Sequence, residues 1–481
     1  MDDAGALKGS VLRAVGWAGA TRLVGQLANW AMTLATVRIL DPRDYGLMAI
    51  AMAVTNFLGS VSSVGFANVI VQNRQISDDA LRSVFGFVLI MNAASIALLC
   101  GLAYAAAWFY GEPRLVALLQ VSSLIFIAIA FQAIPRATLE KRLDLKTVSR
   151  IDLVSNVTGG AVVLILAWHG AGVWSLITGA LISAFVRTIG LSLAAPYFRR
   201  PRFTLRNLSE ILRFGSLRTV ENLLWTIYSS ADVFIIGKLL GPQILGVYSV
   251  SRYLAALPAE KLALVIGPVV LPAFSRVQGD RAEALGYLRK AIRILALLSL
   301  PMFFGMAATS PELVALVLGV RWSQATTPMA ILAFGMALHP IGVLLPSFLV
   351  GLGEYVASFK NTLFATILFP AAFIAGSHWG LYGVCSAWLV AYPLLLLARF
   401  HSVALATRSS TLGQMLPLLP PLAGSLVMYI AVRVAAGALP AGLERWGSLL
   451  WLVAIGVIVY LGYAALFLRP VLAELVNLFR R

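Results

Sequence analysis

The stretch "RILDPRDYGLMAI", which begins at Arg38, has a counterpart later in the chain, "KLLGPQILGVYSV", which begins at Lys238. A second pair of stretches, "WHGAGVWS" from Trp168 and "WGLYGVCS" from Trp379, aligns in the same way. Self-similarity at a nearly fixed offset is typical of a duplicated structural unit. The matched residues of the first pair are Arg38 with Lys238, Leu40 with Leu240, Pro42 with Pro242 and Gly46 with Gly246.

The composition is typical of an integral membrane protein. The chain has 481 residues, of which 60% are hydrophobic and 12% are charged, and its mean hydropathy is +0.88. A helix needs roughly 20 apolar residues to cross about 30 Å of hydrocarbon. Runs of this kind predict about fourteen spans, near residues 14–37, 45–70, 83–109, 114–135, 151–168, 172–195, 215–237, 244–272, 289–308, 327–350, 359–376, 379–398, 414–437 and 447–468.

The repeat and the spans together predict an all-α polytopic membrane protein built from two six-helix bundles and two further helices. Six helices return the chain to its starting side, so both copies have the same orientation and a pseudo-twofold axis along the membrane normal. Pro and Gly of the repeated stretch are expected to form a tight hairpin in each copy. The predicted domains are an N-terminal bundle at 1–197, a cytoplasmic amphipathic linker at 198–214, a C-terminal bundle at 215–400 and two additional helices at 401–481.

The formal net charge of +17 is distributed unevenly between the two sides of the membrane. When alternate connections are assigned to alternate sides, one side receives most of the Lys and Arg, including Arg289, Lys290 and Arg399. The positive-inside rule makes that side cytoplasmic and puts both termini there. The basic charge therefore sets topology and does not indicate a nucleic-acid partner. The segment 197–215 is either a helix on the anionic inner leaflet or a plain basic linker.

The sequence contains no recognisable catalytic or metal-binding arrangement. The predicted outer connections are short and carry no paired carboxylates, histidine cluster or nucleophile motif. Cys100 and Cys385 fall inside predicted spans without ligand clusters, as small packing residues do. We therefore predict that the protein is not an enzyme and has no cofactor and no metal site.

Polar residues form rows along the first helix of each copy. An ionisable residue in hydrocarbon costs about 2.5 to 3.5 kcal/mol on insertion scales, so it normally faces a cavity or a partner. Steps of three and four residues put each row on one helical face. The two rows are therefore expected to face a shared cavity. They are Arg22, Gln26, Asn29, Thr33 and Thr36 in the first copy, and Arg218, Glu221, Trp225, Tyr228 and Asp232 in the second.

The chemistry of these rows predicts a substrate with an anionic group and sugars. Arginine binds phosphate bidentately, and flat aromatic rings pack against sugar rings. Glu221 and Asp232 are candidates for coupling to protons or sodium ions. Alternatively, Arg218 snorkels to the headgroups or pairs with Glu221 structurally, and the aromatic residues are packing residues. The predicted substrate-binding residues are Arg22, Gln26, Asn29, Arg218, Trp225, Tyr228, Arg252 and Lys261.

Several stretches together resemble the Wzx-type polysaccharide flippases of the multidrug/oligosaccharidyl-lipid/polysaccharide exporter superfamily, and most of all their colanic-acid exporter branch. The resemblance covers roughly residues 8–400. The family's motif Asp falls on Asp232, and its Gly-Lys pair falls on Gly237 and Lys238. The stretches are "RILDPRDYGLMAIA" from Arg38, "GFANVIVQNR" from Gly65, "GVWSL" from Gly172, "ADVFIIGKLLGPQILGVYSVSRYLAALP" from Ala231 and "LPAFSRVQGD" from Leu271.

The resemblance implies the function and the surroundings of the protein. Undecaprenyl-diphosphate-linked oligosaccharide would be moved from the cytoplasmic to the periplasmic leaflet of a bacterial inner membrane by ion-coupled alternating access. Membrane lipids, a polysaccharide polymerase and assembly proteins are the implied partners. Three alternatives stay open at this point: a cation-coupled multidrug exporter of the same superfamily, an integral-membrane polymerase or glycosyltransferase, and a scaffold for the assembly machinery.

Overall fold

A computed structural model describes residue 25 and residues 30–62, 78–142, 144–197, 199–203, 208–276, 280–439, 444–469 and 471. Side chains are not described at residues 61, 62, 78, 80, 208–222 and 260–276. All the regular structure in the described ranges is helical, which confirms the all-α fold class. Ten segments of the described chain are long and apolar enough to cross a membrane. They coincide with ten of the predicted spans, and the total of fourteen stays a prediction.

The chain divides into two compact units, Met1–Ile227 and Tyr228–Arg481. The division falls inside helix α8, and the predicted domain boundaries stay predictions. In the first unit, α4 and α5 together form one membrane-crossing segment, Arg114–Lys141. The helices of this unit are α1 (residues 30–39 of the described chain), α2 (Pro42–Ser62), α3 (Asp78–Tyr110), α4 (Arg114–Ser122), α5 (Ile125–Lys141), α6 (Leu145–Trp168), α7 (Val173–Ala194) and the first part of α8 (Leu208–Leu239).

In the second unit, short helices complete two of the membrane-crossing segments. A 3₁₀ turn at Val320–Ala325 precedes α12 and α13, and another at Leu416–Leu418 precedes α17. The helices after α8 are α9 (Gly241–Arg276), α10 (Arg281–Ala308), α11 (Ser310–Val317), α12 (Thr326–Met336), α13 (His339–Gly351), α14 (Tyr355–Ser377), α15 (Gly380–Thr407), α16 (Thr411–Met415), α17 (Leu419–Gly437) and α18 (Arg445–Phe467).

The repeated stretch forms the reversal between two helices in each unit, but its matched glycines do not make the turn. Gly46 and Gly246 lie inside α2 and α9, so the prediction that they supply the turn is wrong. In the second unit Gly241 has a φ of +83°, a conformation that glycine adopts without steric cost. In the first unit Asp44 stabilises the reversal: its Oδ2 accepts from the Asp41 N–H (3.3 Å) and its Oδ1 from the Val173 N–H at the start of α7 (3.0 Å).

The predicted linker is tied to α3 and then becomes helical. The Arg202 N–H donates to the Arg82 carbonyl (3.0 Å), and the Arg202 guanidinium pairs with Asp79 (2.8 Å). Helix α8 begins at Leu208, inside the range predicted as linker, and continues into the second unit. The range predicted as linker therefore ends inside a helix.

Candidate functional site

Among the described side chains of the second unit, the most completely buried carboxylate is that of Asp232 on α8, which is 1% exposed. Its Oδ1 accepts from the N–H of Val233 (2.8 Å), and its Oδ2 accepts from the Tyr248 hydroxyl (2.7 Å) and from Arg252 Nη1. The reversal at Gly241 brings α9 back along α8, which puts Tyr248 and Arg252 beside Asp232. These two residues are four apart, so both lie on the same face of α9.

Arg252 makes three different contacts, and its side chain stays partly exposed. Nη1 pairs with Asp232, Nη2 donates to the Ser229 carbonyl (3.2 Å), and Cζ lies 5.6 Å from the ring centroid of Trp388. A guanidinium this close to an indole face gains a cation–π attraction. The Arg252 side chain is 28% exposed, whereas its carboxylate partner is closed off. The ion pair is therefore accessible from the cationic side.

Trp388 of α15 closes the network from a third helix. Its indole N–H donates to the Tyr248 hydroxyl oxygen (2.9 Å), and that hydroxyl donates onward to Asp232. The Trp388 ring packs edge-on against Phe369 of α14 at 5.1 Å between centroids, and Tyr228 of α8 lies 5.6 Å from the same Phe369. The donors thus run in one direction, from the indole through the phenol to the carboxylate, inside an aromatic wall.

A buried ion pair in a membrane unit calls for a reason other than stability. Removing two charges from water costs several kcal/mol per ion, and apolar residues of similar size often stabilise a fold as well or better. Ionisable residues kept inside a membrane domain mark functional sites by default. The arrangement of Asp232, Tyr248, Arg252 and Trp388, called here the Asp232 network, is therefore the candidate site.

Of the ten predicted site residues, the structure brings Asp232 and Arg252 into direct contact. Trp225 is 56% exposed and Tyr228 is partly buried. Arg218 and Glu221 lie on α8 and Lys261 lies on α9, but their side chains are not described. Three predicted residues lie outside the described part of the chain: Arg22, Gln26 and Asn29.

Sequence reasoning missed Trp388 and the role of Tyr248. Tyr248 is one helical turn from Arg252, so its position on the same face was readable from spacing. Trp388 lies more than a hundred residues further on, and its contact with Tyr248 depends on how α15 packs against α9. The one available signal for Trp388 was a large ring with a polar N–H inside a span, which usually needs a partner when it is buried.

Arg399 on α15 is a buried cation outside the Asp232 network. We predicted that Arg399 lies in a connection between helices, which is wrong because α15 continues to Thr407. Its assignment to the cytoplasmic side stays a prediction. Its side chain donates from Nη1 to the Gly342 carbonyl of α13 (2.8 Å), and the residue is 6% exposed. Pro346 lies four residues after Gly342 and has no N–H, so this carbonyl lacks its intrahelical donor. Arg399 supplies the missing hydrogen bond.

The second unit also contains an apolar groove between α10, α17 and α18, with a volume of about 530 Å³. The Tyr460 hydroxyl donates to the Leu297 carbonyl in its wall (2.9 Å), and that carbonyl lacks an intrahelical donor because Pro301 follows four residues later. With this hydroxyl satisfied, the groove presents hydrocarbon surface. Other residues of the wall are Met302, Gly305, Met428, Val432, Leu452 and Gly456.

Comparison with protein families identifies the family to which the chain belongs. A model of a family described as polysaccharide biosynthesis protein matches residues 35–327, which is more than half of the chain and includes Asp232, Tyr248 and Arg252. The chain belongs to the polysaccharide biosynthesis protein family. Membership agrees with the Wzx-type resemblance of the sequence.

Relatives in this family are similar over most of their length. The chain is 25% identical to the lipopolysaccharide biosynthesis protein WzxC of Escherichia coli K12 over 73% of this chain and 72% of that protein. It is 24% identical to the succinoglycan biosynthesis transport protein ExoT of Rhizobium meliloti over 98% of this chain and 96% of that protein.

Solved structures show the fold of this family member. The lipid II flippase MurJ in an inward closed conformation matches with a TM-score of 0.77 and 15% identity, over 95% of this chain and 99% of that one. An inward-facing multidrug resistance MATE family transporter of the MOP superfamily matches with a TM-score of 0.60 and 17% identity, over 80% and 96%. The chain therefore has the MurJ/MATE-like fold.

Proposed function

We propose that the protein is a flippase that moves undecaprenyl-diphosphate-linked oligosaccharide from the cytoplasmic to the periplasmic leaflet for surface polysaccharide biosynthesis. The observation that carries this proposal is the Asp232–Arg252 pair, a guanidinium held partly open inside a unit of membrane-crossing helices. The names of the relatives support this proposal, because they include a succinoglycan biosynthesis transport protein. A transport role also agrees with the prediction that the protein is not an enzyme.

Arg252 is the proposed contact for the diphosphate. A guanidinium has five N–H donors, and Arg252 uses two in hydrogen bonds to Asp232 and Ser229. The remaining donors suit the oxygens of a phosphate group, which arginine binds bidentately. Arg22, Arg218 and Lys261 are proposed as further cationic contacts.

Aromatic and amide side chains are proposed to bind the first sugars. Trp225 is exposed and carries a flat apolar face with a polar N–H at its edge, which suits the mixed apolar and hydroxyl surface of a sugar. Tyr228 lies one turn further along α8, on the same face. Gln26 and Asn29 are proposed to supply hydrogen bonds to sugar hydroxyls.

The polyprenyl tail needs hydrocarbon surroundings throughout the movement. Burial in hydrocarbon contributes about 0.8 kcal/mol for each CH₂ group. The tail is therefore proposed to stay in the surrounding lipid while the polar head crosses.

Coupling to an ion gradient is proposed to involve Asp232 and Glu221, with a proton or a sodium ion as the driving ion. The two units would alternate in exposing the bound head to either side of the inner membrane, with both termini in the cytoplasm. A polysaccharide polymerase and assembly proteins would receive the translocated product.

Deletion of the gene with complementation tests this proposal. We expect the deletion strain to lose surface polysaccharide and to accumulate lipid-linked oligosaccharide in the inner leaflet, as measured by glycan analysis of extracted lipids. Wild type should restore export, and Arg22→Glu should not, although it reaches the membrane in normal amount. Intact polysaccharide together with new drug sensitivity would instead identify a multidrug exporter, and glycosyl transfer by the purified protein would identify an enzyme.

A further inference from the structure

A second cavity lies at the N-terminal part of α10, next to the segment before and at the start of α17 and the end of α18. The charge distribution assigns this end of α10 to the cytoplasm. Arg289 and Arg293, one helical turn apart on α10, line this cavity of about 500 Å³. The other lining residues are Gly413 and apolar side chains of the segment around α17 and of the end of α18: Leu416, Pro417, Pro420, Pro421, Phe467 and Leu468, with Val471.

The two arginines have no carboxylate partner within the part of the chain that the structure describes. Arg289 Nε is buried and lacks a hydrogen-bond acceptor among the described residues. Arg293 lies about 6 Å further along α10 than Arg289. Two unneutralised cations at the edge of the hydrocarbon favour an anion between them.

The rest of the cavity wall decides which kind of anion fits. Pro417, Pro420 and Pro421 have no backbone N–H, so the wall facing the arginines offers few donors. Apart from the arginines, the lining side chains carry no hydroxyl, amide or carboxylate that could bind sugar hydroxyls. A small phosphate headgroup therefore suits this cavity better than a glycan.

The cavity and the apolar groove described above are lined by neighbouring residues of the same helices. On α10, Arg293 is followed at four-residue steps by Leu297 and Pro301, which line the groove. On α18, Phe467 and Leu468 of the cavity follow Ala464 and Tyr460 of the groove. One face of the same three helices thus combines two cations with a long hydrocarbon surface.

We propose that Arg289 and Arg293 bind the phosphate of an anionic glycerophospholipid of the inner leaflet, such as phosphatidylglycerol or cardiolipin, whose acyl chains lie along the groove. Basic pockets between membrane helices on the cytoplasmic side bind such headgroups. This resident lipid is distinct from the transported molecule, so the site goes beyond the proposed function. It does not depend on the flippase activity.

Lipid retention by the purified protein tests the site. We compare wild type, Arg289→Gln/Arg293→Gln and the matched control Lys290→Gln, which removes one charge from the same helix outside the cavity wall. Mass spectrometry of the extracted lipids gives the ratio of anionic phospholipid to protein. We expect about 30-fold weaker retention in the double variant, since each arginine contributes roughly fivefold near an anionic lipid. The control should behave as wild type.

A second measurement avoids dependence on purification yields. In nanodiscs, raising the fraction of phosphatidylglycerol over phosphatidylcholine should raise the unfolding temperature of wild type, because a ligand that binds only the folded state stabilises it. The double variant should show no such rise. Equal lipid retention in all three proteins, an equal loss in Lys290→Gln, or retention of lipid-linked oligosaccharide in place of phospholipid would overturn the proposal. Loss of flippase activity with normal lipid retention would leave it intact.

Discussion

The Asp232 network of the second unit has an apolar counterpart in the first unit. Its four polar residues align, through the repeat, with three methionines and an isoleucine. The alignment that pairs the two reversals pairs Asp232 with Met32, Tyr248 with Met48 and Arg252 with Met52. The alignment that pairs Trp168 with Trp379 pairs Ile177 with Trp388. In the first unit, Met48, Met52 and Ile177 line one small cavity of about 50 Å³, so three of the four aligned residues meet there as well.

This comparison separates what the fold needs from what the site needs. Methionine is flexible and fills irregular gaps between helices. A helical unit of this kind therefore forms with an apolar cluster at this point. The charges of the second unit are then an addition to the fold, which is the expected mark of a functional site.

A second pair of aligned residues shows the same contact made with different chemistry. In the first unit the Thr188 hydroxyl shares its proton between the Ala184 carbonyl of its own helix (2.9 Å) and the Ala128 carbonyl of α5 (3.1 Å). In the second unit Arg399 donates to the Gly342 carbonyl of α13 (2.8 Å). The Ala128 carbonyl keeps an intrahelical donor at Gln132, whereas Pro346 removes the donor for Gly342. The Thr188 hydroxyl thus adds a donor to a carbonyl that already has one. The Arg399 guanidinium replaces the donor that the Gly342 carbonyl lacks.

The largest expected effect is that of Arg252→Met, which puts the residue of the first unit into the second. It leaves the Asp232 charge buried without its cation, so we expect a loss of about 3–5 kcal/mol of folding free energy. Export of polysaccharide should be abolished. Denaturation in detergent and glycan staining of complemented cells measure the two effects. Met52→Leu at the aligned position is the control and should cost less than about 1.5 kcal/mol; similar behaviour of the two variants would contradict the comparison.

The triple variant Asp232→Met/Tyr248→Met/Arg252→Met copies the first unit more completely. With no charge left behind, we expect stability to return to within about 1 kcal/mol of wild type or to exceed it. Export should stay absent. The same two assays apply. A triple variant that exports would show that the network is not the site, and one that fails to fold would show that the network is structural.

Arg399→Met should have an intermediate effect confined to stability. It leaves the Gly342 carbonyl buried without a donor, at a cost of about 1–3 kcal/mol. Thr188→Val is the aligned control, and its cost should be smaller because the Ala128 carbonyl keeps its helical partner. Unfolding midpoints of the two variants measure the difference. An equal or larger loss in the Thr188 variant would refute the assignment of Arg399 as a replacement donor.

The smallest expected effect is that of Trp388→Phe, which keeps a ring of similar shape but removes the N–H that bonds to Tyr248. We expect a loss of about 1 kcal/mol in stability and a partial reduction of export, because Asp232 and Arg252 stay paired. The exposed Trp379 provides the control, Trp379→Phe, which should be silent. Glycan quantification over several expression levels detects a partial effect. Complete loss of export would make Trp388 a direct substrate contact.

Much of the fold was predictable, and so were individual members of the site. Apolar runs predicted the ten membrane-crossing segments that the structure describes, and the repeat predicted that both halves contain the same reversal. Asp232 and Arg252 were both named, one for ion coupling and one for substrate. Their contact was not predicted, because helical periodicity tells which residues share a face of one helix and does not tell which face of the next helix lies opposite.

The turn glycine and Arg399 are two further cases in which the sequence-based prediction was incomplete. The shared glycines suggested a turn, yet the position that needs a positive φ is Gly241, which the first unit replaces with Asp41. Arg399 had the charge of a cytoplasmic residue, but a proline in another helix creates the carbonyl that it binds. The Gly241-Pro242 dipeptide is itself a turn signal in the local sequence. The carbonyl that Arg399 binds, in contrast, is not visible in the sequence around Arg399.

By itself the sequence determined that this is an all-helical membrane protein with a repeated helix reversal, because hydrophobic length and turn residues are local properties that the bilayer selects strongly. Its resemblance to a polysaccharide biosynthesis family was carried by particular stretches of sequence. The tertiary structure alone decided that Asp232, Tyr248, Arg252 and Trp388 form one network. The physical reason is that hydrogen bonds and ion pairs act over about 3 Å, so only the packing of α8, α9 and α15 determines which of the many polar groups in the sequence become partners.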